Sequence, residues 1–176
     1  MTLDEIMRTG IEPALAWLPA KMTSLEARVM LLAIGLQESK FEHRWQVVND
    51  FSKKGPARSF WQAEQGGGMV AGTMTHPATK DLACAACDAR HVAFTTLAVW
   101  IAIENDDVLA AILARLLLWT EPGALPRVTD TEAAWLLYLH AWRPGAHARG
   151  TPAKRAQLRA EWERHHRAAR AFLGLP

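Results

Sequence analysis

Cysteine and long apolar runs are what this sequence lacks most clearly. Its 176 residues include two cysteines, Cys84 and Cys87, whereas a structural zinc site needs four ligands. His91 lies four residues beyond Cys87, but no second CxxC or HxxxH pair follows. No stretch approaches the ~20 uninterrupted apolar residues of a membrane-spanning helix. We therefore expect no metal, no cofactor and no transmembrane segment.

The two cysteines also lack the setting of a redox motif. A redox CxxC normally follows a strand in a βαβ unit, and no such unit is recognisable around Cys84 and Cys87. We interpret both as small packing residues of an alanine-rich helix. His165 and His166 lie in an arginine-rich segment, and we expect them to face solvent rather than to bind a metal.

Apolar residues are plentiful, at 50% of a 19.5-kDa chain, which is enough for one domain with a real core. The periodicity is helical throughout, and no convincing strand or internal repeat is present. The sequence therefore predicts an all-α, mainly helical fold. We expect residues 1–150 to form the main unit and residues 151–176 to form a basic helix packed on it.

Proline, glycine and capping residues divide the chain into predicted helices. The first is interrupted near Pro13 and stopped by Pro19. The predicted ranges are 3–17, 24–39, 69–73 (one turn), 77–87 and 89–104 (two helices or one bent helix), 108–119, 131–142 and 152–173.

The predicted helix over residues 24–39 ends in a carboxylate, Glu38. Nine of the twelve residues from Leu25 to Leu36 are apolar, so this helix is expected to form the buried centre of the domain. Apolar surroundings and the negative end of the helix dipole both disfavour an ionised carboxylate. We expect the pKa of Glu38 to be raised, as a general acid requires. Taken alone, a Glu near a helix C-terminus is more often a solvated residue.

An aromatic segment follows and favours the catalytic interpretation. After the Gly55-Pro56 turn come Phe60, Trp61, Gln62 and Glu64, and then three consecutive glycines that let the backbone turn sharply or approach a ligand. Aromatic faces and an amide suit a groove that binds acetamido sugars. Of the eight tryptophans, we place Trp61, with Trp45 or Trp142, at this groove and the others in helix packing.

These motifs resemble a known family. Glu38-Ser39-x-Phe41, followed by a segment ending in Phe60-Trp61-Gln62, is similar to the signature of lytic transglycosylases and goose-type lysozymes, and most similar to bacteriophage-encoded members. That resemblance implies a lysozyme-like helical fold acting on peptidoglycan glycan strands, with Glu38 as catalytic acid. It also implies that Ser39 and Gln62 line the site and, through a looser third block, that Tyr138 lies near Glu38.

Ser59 departs from the family pattern, which has glycine at that position, and this change is expected to narrow the groove slightly. In the third block, Tyr138-Leu139-His140 replaces Tyr-Asn-Ala, and Tyr138 is the residue of that block that we expect to bind substrate, together with Ser39, Phe60, Trp61, Gln62 and Glu64.

The family implies two chemistries. Transglycosylases use one Glu as acid and then base and release a 1,6-anhydro sugar, whereas hydrolases usually add a second carboxylate. The candidates here are Asp50 and Glu64, and Asp50 is equally well explained as a turn residue beside Asn49. We favour the single-Glu chemistry.

The C-terminal segment carries most of the positive charge. Residues 143–176 contain eight Lys or Arg against Glu161 and Glu163, whereas residues 1–142 have a net charge of −4. We interpret the segment as a helix that docks an apolar stripe on the core. Attraction to wall polymers, lipid or nucleic acid is the alternative, although no motif predicts specific nucleic-acid binding.

The N-terminus has no signal-peptide pattern, since Met1-Thr2-Leu3-Asp4-Glu5 is acidic. We therefore expect synthesis in the bacterial cytoplasm. Action on the cell wall would follow either as a virion component or after release to the periplasm, with other phage or virion proteins as partners. The alternative function is a non-catalytic lysozyme-like scaffold that binds saccharide or takes part in a virion or secretion complex.

Overall fold

The computed structural model describes residues 1–48 and 53–176 and is mostly helical, with 63% helix and 6% strand. The prediction of a mainly helical protein is therefore confirmed. Asp50 lies outside the described residues. Among the helices of the described ranges, none is both long and apolar enough to cross a bilayer.

The N-terminal helical segment is continuous rather than broken at Pro13. It consists of α1 (Leu3–Ile6), a π-helical stretch (Met7–Ile11) and α2 (Glu12–Trp17). Pro13 lies in the first turn of α2, directly after the π-helical stretch in which the Glu12 N–H bonds the Met7 carbonyl. The extended backbone of Leu18, which precedes Pro19, ends the helix, and a 3₁₀ turn (Ala20–Met22) leads onward.

Two apolar helices form the centre of the core. The first, α3 (Leu25–Ser39), is N-capped by Ser24, whose Oγ accepts a hydrogen bond from the Ala27 N–H. The second, α7 (Asp107–Thr120), is capped in the same way by Asp106. Both helices bury a long run of side chains because little of their surface is polar.

A small antiparallel sheet, which the sequence did not predict, lies between these helices in the chain. Its strands are β1 (Trp45–Val47), β2 (Lys54–Arg58) and β3 (Ala63–Glu64), in the spatial order β1-β2-β3. The strands escape prediction because they are short and Lys-Gly-Pro-Ala-Arg has neither apolar alternation nor high β propensity.

Tertiary contacts hold the central strand of this sheet. The Trp100 Nε1–H donates to the Pro56 carbonyl at 2.9 Å. The Arg58 guanidinium pairs with Glu104 at 2.8 Å and lies over the Trp100 ring. Strand β2 therefore depends on residues more than 40 positions away, which no local pattern reveals.

The remaining helices follow the predicted order with shifted ends. They are a π-helical turn (Gly68–Gly72), α4 (Thr73–Thr75), α5 (Lys80–Ala89), α6 (Thr96–Ala102), α8 (Thr131–Trp142), α9 (Gly145–Ala148) and α10 (Pro152–Phe172). The range of α8 agrees residue for residue with the prediction. The largest differences are in α5 and α6, which are shorter than the predicted helices 77–87 and 89–104 and are separated by a turn.

Helix α10 packs on α3 and α8 and corrects one expectation. Trp162 and His166 of this helix are buried, and the His166 ring stacks on Trp162 while its Nδ1 lies 3.1 Å from the Thr131 hydroxyl. Burial lowers the pKa of His166 to about 4. His166 is thus a neutral packing residue rather than a solvent-facing one. His165 is half-buried, with Nδ1 2.9 Å from Gln37 Oε1.

Candidate active site

Glu38 lies at the junction of two cavities. One of about 360 Å³ and one of about 260 Å³ share Glu38, Gln46 and Gln62 in their walls. Together the two cavities form one open cleft with the carboxyl group at its middle. Polymer-cleaving enzymes need this arrangement, because the substrate must extend on both sides of the bond that breaks.

The backbone after α3 turns sharply to leave Glu38 at the cleft floor. Lys40 and Phe41 both have left-handed φ, of 53° and 56°, which folds the Phe41 ring back over Gly35. A methyl group at Gly35 would overlap that ring. Glycine at position 35 thus permits the close approach that ends the helix.

Ser39 joins the end of α3 to the aromatic segment. Its hydroxyl donates to the Phe60 carbonyl at 2.8 Å and accepts from the Phe41 N–H at 3.1 Å. The position of Ser39 beside the site agrees with the expectation. The hydroxyl therefore aligns the two motifs, and Ser39 also lines the smaller of the two cavities.

Tyr138 of α8 is the polar partner of Glu38. Its hydroxyl donates to Glu38 Oε1 at 2.6 Å. Burial raises the pKa of Glu38 to about 7, and this hydrogen bond, which favours the carboxylate, opposes the rise. The carboxyl can therefore both hold and release a proton near neutral pH.

An aromatic stack fixes the position of Tyr138. The Trp162 ring lies parallel to it, with centroids 4.9 Å apart and an interplanar angle of 15°. Trp135 contacts Tyr138 from the same helix. Helix α10 therefore supports the site from behind through Trp162, although it supplies no residue to the cleft wall.

Phe60 and Trp61 do not line the cleft as the sequence suggested. They are 2% and 0% exposed, and both pack edge-on against Phe41. The Trp61 Nε1–H donates to the Leu31 carbonyl at 2.9 Å. These rings anchor the segment to α3, so neither face of Trp61 is free to stack on a sugar.

Ser59 begins the tight turn that turns Phe60 and Trp61 inward. It has a left-handed φ of 65° and is fully buried. Its hydroxyl accepts from the Trp61 N–H at 3.2 Å, and its carbonyl accepts from the Gln62 side-chain amide at 2.9 Å. Because its side chain points into the protein, Ser59 does not narrow the groove as expected from the sequence.

Of the other predicted groove residues, Ser39, Gln62 and Glu64 line the cleft, whereas Tyr138 is buried and lines neither cavity. Gln62 contacts both cavities, Glu64 contacts the larger one, and the aromatics beside them are Trp142 in the larger cavity and Trp45 in the smaller. The Trp142 Nε1–H donates to the Trp61 carbonyl at 3.0 Å, which fixes the indole at the wall. Trp142 and Trp45, rather than Trp61, are thus the tryptophans of the cleft wall.

Sequence reasoning missed Gln46 and the α8–α9 connection. Gln46 lies on β1 and belongs to both cavities, and residues 143–146 form the wall opposite. A third cavity of about 450 Å³ shares Trp142 and Arg143 with the larger one and extends the groove past the glycine loop. The only signal in the sequence was that Gln46 is a polar residue between two apolar neighbours. This alternation went unused because the strand that contains it was not predicted.

No metal site accompanies the carboxyl group in the described ranges, where no three His, Cys, Asp or Glu side chains converge. Cys84 and Cys87 are free thiols on α5, half-buried and buried respectively. Burial raises the pKa of the Cys87 thiol to about 11, so it is an unreactive packing residue.

No family model, curated protein or solved structure matches this chain. A function must therefore be inferred from the geometry around Glu38 and from the short motifs that surround it.

Proposed function

We propose that the protein is a peptidoglycan-cleaving glycosidase, a lytic transglycosylase or muramidase of lysozyme-like fold. It breaks the β-1,4 bond between N-acetylmuramic acid and N-acetylglucosamine, with Glu38 as the single general acid and base. The observation that supports this most is a carboxyl group with a pKa of about 7 at the middle of an open cleft. Its site of action is the cell wall.

Glu38 begins the reaction in its protonated form. It donates the proton to the glycosidic oxygen as that bond breaks, and the positive charge that develops on the sugar favours the carboxylate left behind. The Tyr138 hydroxyl, 2.6 Å from Oε1, stabilises that carboxylate. Glu38 then removes a proton from the incoming hydroxyl group, which belongs either to the sugar itself or to water.

The choice between these two outcomes depends on a second carboxylate. Glu64 lines the same cavity as Glu38 but is exposed, whereas Glu38 lies where the two cavities meet. Asp50 lies outside the described residues. We therefore favour the single-Glu reaction, in which the substrate's acetamido group assists and the product is a 1,6-anhydro sugar.

Digestion of purified peptidoglycan with the wild type and with Glu38→Gln tests the proposal. We expect soluble muropeptides from the wild type and at least ~10²-fold fewer from the variant, because general acid catalysis contributes about that much or more. Mass analysis distinguishes anhydro ends from reducing ends. Glu161→Gln is the matched control, since Glu161 is a partly exposed residue of α10 that lines neither cavity and should not matter.

Two results would contradict parts of this proposal. Wild-type protein that binds peptidoglycan without releasing products would leave the non-catalytic scaffold as the better explanation. Reducing ends that disappear in Glu64→Gln would replace the single-Glu reaction by a hydrolysis with two carboxylates.

A further inference from the structure

A cavity of about 620 Å³ lies at the opposite end of α3 from Glu38. The start of α3 and the second half of α7 form its walls, with Ser24 on the first and Arg115 and Trp119 on the second. Lys21 and Leu125 also line it. The volume is within the range of small-molecule sites.

Arg115 is a buried cation that pairs with no carboxylate of the described residues. It is 3% exposed, and its Nε–H donates to the Met22 carbonyl at 2.8 Å. Its Nη1 is buried and has no hydrogen-bond partner within residues 1–48 and 53–176. An unpaired buried guanidinium costs free energy. A ligand that supplies the missing hydrogen-bond acceptor would recover part of that free energy when it binds.

Neighbouring groups add to the positive potential of this cavity. The Lys21 ammonium and the Arg115 guanidinium lie 5.4 and 5.2 Å from the centre of the Trp119 ring. The first turn of the 15-residue helix α3 presents the positive end of its dipole. Burial lowers the pKa of Arg115 to about 10, so it still carries its charge at neutral pH.

Two carboxylates limit which anion can enter. Glu26 and Glu121 also line the cavity, and Glu121 is already bonded to His140 at 2.5 Å. These charges would repel a dianion such as phosphate more strongly than a single negative charge. The remaining wall, which includes Leu118, Trp119 and Leu125, is apolar and suits a hydrophobic body.

We infer that this cavity binds an organic monocarboxylate. The ligand's carboxylate pairs with the Arg115 guanidinium, and its apolar body lies against Trp119 and Leu125. An Arg–carboxylate pair of this kind has matched geometry and two parallel hydrogen bonds. The site lies away from Glu38, although Glu121 lines both this cavity and the third cavity of the groove, and it does not depend on the activity proposed for Glu38.

Titration with benzoate, followed by the indole N–H signals of ¹⁵N-labelled protein, tests this inference. The Trp119 signal is assigned by its loss in Trp119→Phe. We expect a saturable shift of that signal with a Kd of ~1 mM or tighter. Benzamide, which has the same shape without the charge, and inorganic phosphate should bind at least tenfold more weakly.

Variants separate a built site from nonspecific association. Arg115→Met should weaken benzoate binding at least tenfold. Lys21→Met should weaken benzoate binding about threefold. Because the Lys21 side chain is exposed, this substitution should leave folding unchanged. Equal binding of benzoate and benzamide, phosphate binding as tight as benzoate, or benzoate binding undiminished in both Lys21→Met and a folded Arg115→Met would each overturn the inference.

Discussion

The two ends of α3 carry opposite chemistry. At the C-terminal end, Glu38 lies in a cleft and accepts a hydrogen bond from Tyr138, and burial raises the pKa of Glu38 to about 7. At the N-terminal end, Arg115 of the neighbouring helix is buried without an anion from the described residues, and its pKa falls only to about 10. Burial thus neutralises the carboxyl group near neutral pH but leaves the guanidinium charged.

This difference follows from the ordinary pKa values of the two groups. A carboxyl group starts about three units below neutral pH, so a moderate shift makes it an acid that exchanges its proton. A guanidinium starts so far above neutral pH that the same penalty cannot discharge it. One end of the helix therefore suits proton transfer, and the other suits the binding of an anion.

Gly35→Ala should lower the free energy of unfolding by the largest amount. The packing that it disturbs lies only at the C-terminal end of α3. The added methyl group would overlap the Phe41 ring, and overpacking of this kind costs ~3 kcal/mol. We expect a clear loss of stability in urea unfolding. Leu25→Ala is the control at the other end of α3, because Leu25 is 49% exposed. Equal losses in the two variants would contradict the packing described for Phe41.

The pH dependence of stability should identify Glu38 as the buried acid. Its folded pKa of about 7 exceeds the ordinary value of 4.5, so between these values the folded state retains a proton that the unfolded state has released. Stability therefore falls as pH rises from 4.5 to 7, by ~2 kcal/mol from this group. Glu38→Gln should lack that fall when unfolding is measured at both ends of the range. Parallel pH profiles of stability for the two proteins would show that the pKa of the Glu38 carboxyl is not raised.

Tyr138→Phe should alter the Glu38 cleft, and the proposed activity, in a direction that a simple packing defect would not. The lost hydrogen bond favoured the carboxylate, so the pKa of Glu38 should rise further. We expect peptidoglycan cleavage at its optimum to fall about tenfold, because the carboxylate formed in the reaction loses its donor. The alkaline limb of the pH–rate profile should move to higher pH. A limb that stays in place or moves down would contradict this role.

Glu26→Gln should have the smallest effect and should act at the N-terminal end alone. Removing a carboxylate from the wall of the Arg115 cavity should tighten benzoate binding about twofold in the NMR titration. The loss of an acidic residue from the first turn of α3 should cost about 0.5 kcal/mol of stability. Weaker benzoate binding in this variant would mean that the site does not select a negative charge.

Much of the C-terminal end of α3 was accessible from the sequence. The apolar spacing predicted the helix, because that depends on neighbours along the chain. The position of Glu38 in its last turn led to the expectation of a raised pKa, which burial in the folded protein produces. Gln62, Glu64 and Ser39 were found through their short motifs. Tyr138 was found through resemblance alone, since no local pattern links residues 100 positions apart.

Burial of the aromatic rings could not be read from the sequence in the same way. Phe60 and Trp61 have the composition of a sugar-binding surface, yet the left-handed turn at Ser59 directs both into the core. His166 lies among arginines in the sequence but stacks on Trp162 in the fold. The same residue types serve a groove or a core, and the direction of the side chain decides which.

The sequence by itself determined the mainly helical fold, the long buried helix and the carboxyl at its end, because each follows from spacing within a few residues. Only the tertiary structure decided which indoles face the cleft, where the short sheet lies and that Arg115 has no partner within the described residues. Those features depend on contacts between distant segments, and the free energy of such contacts is set by burial and packing rather than by local order along the chain.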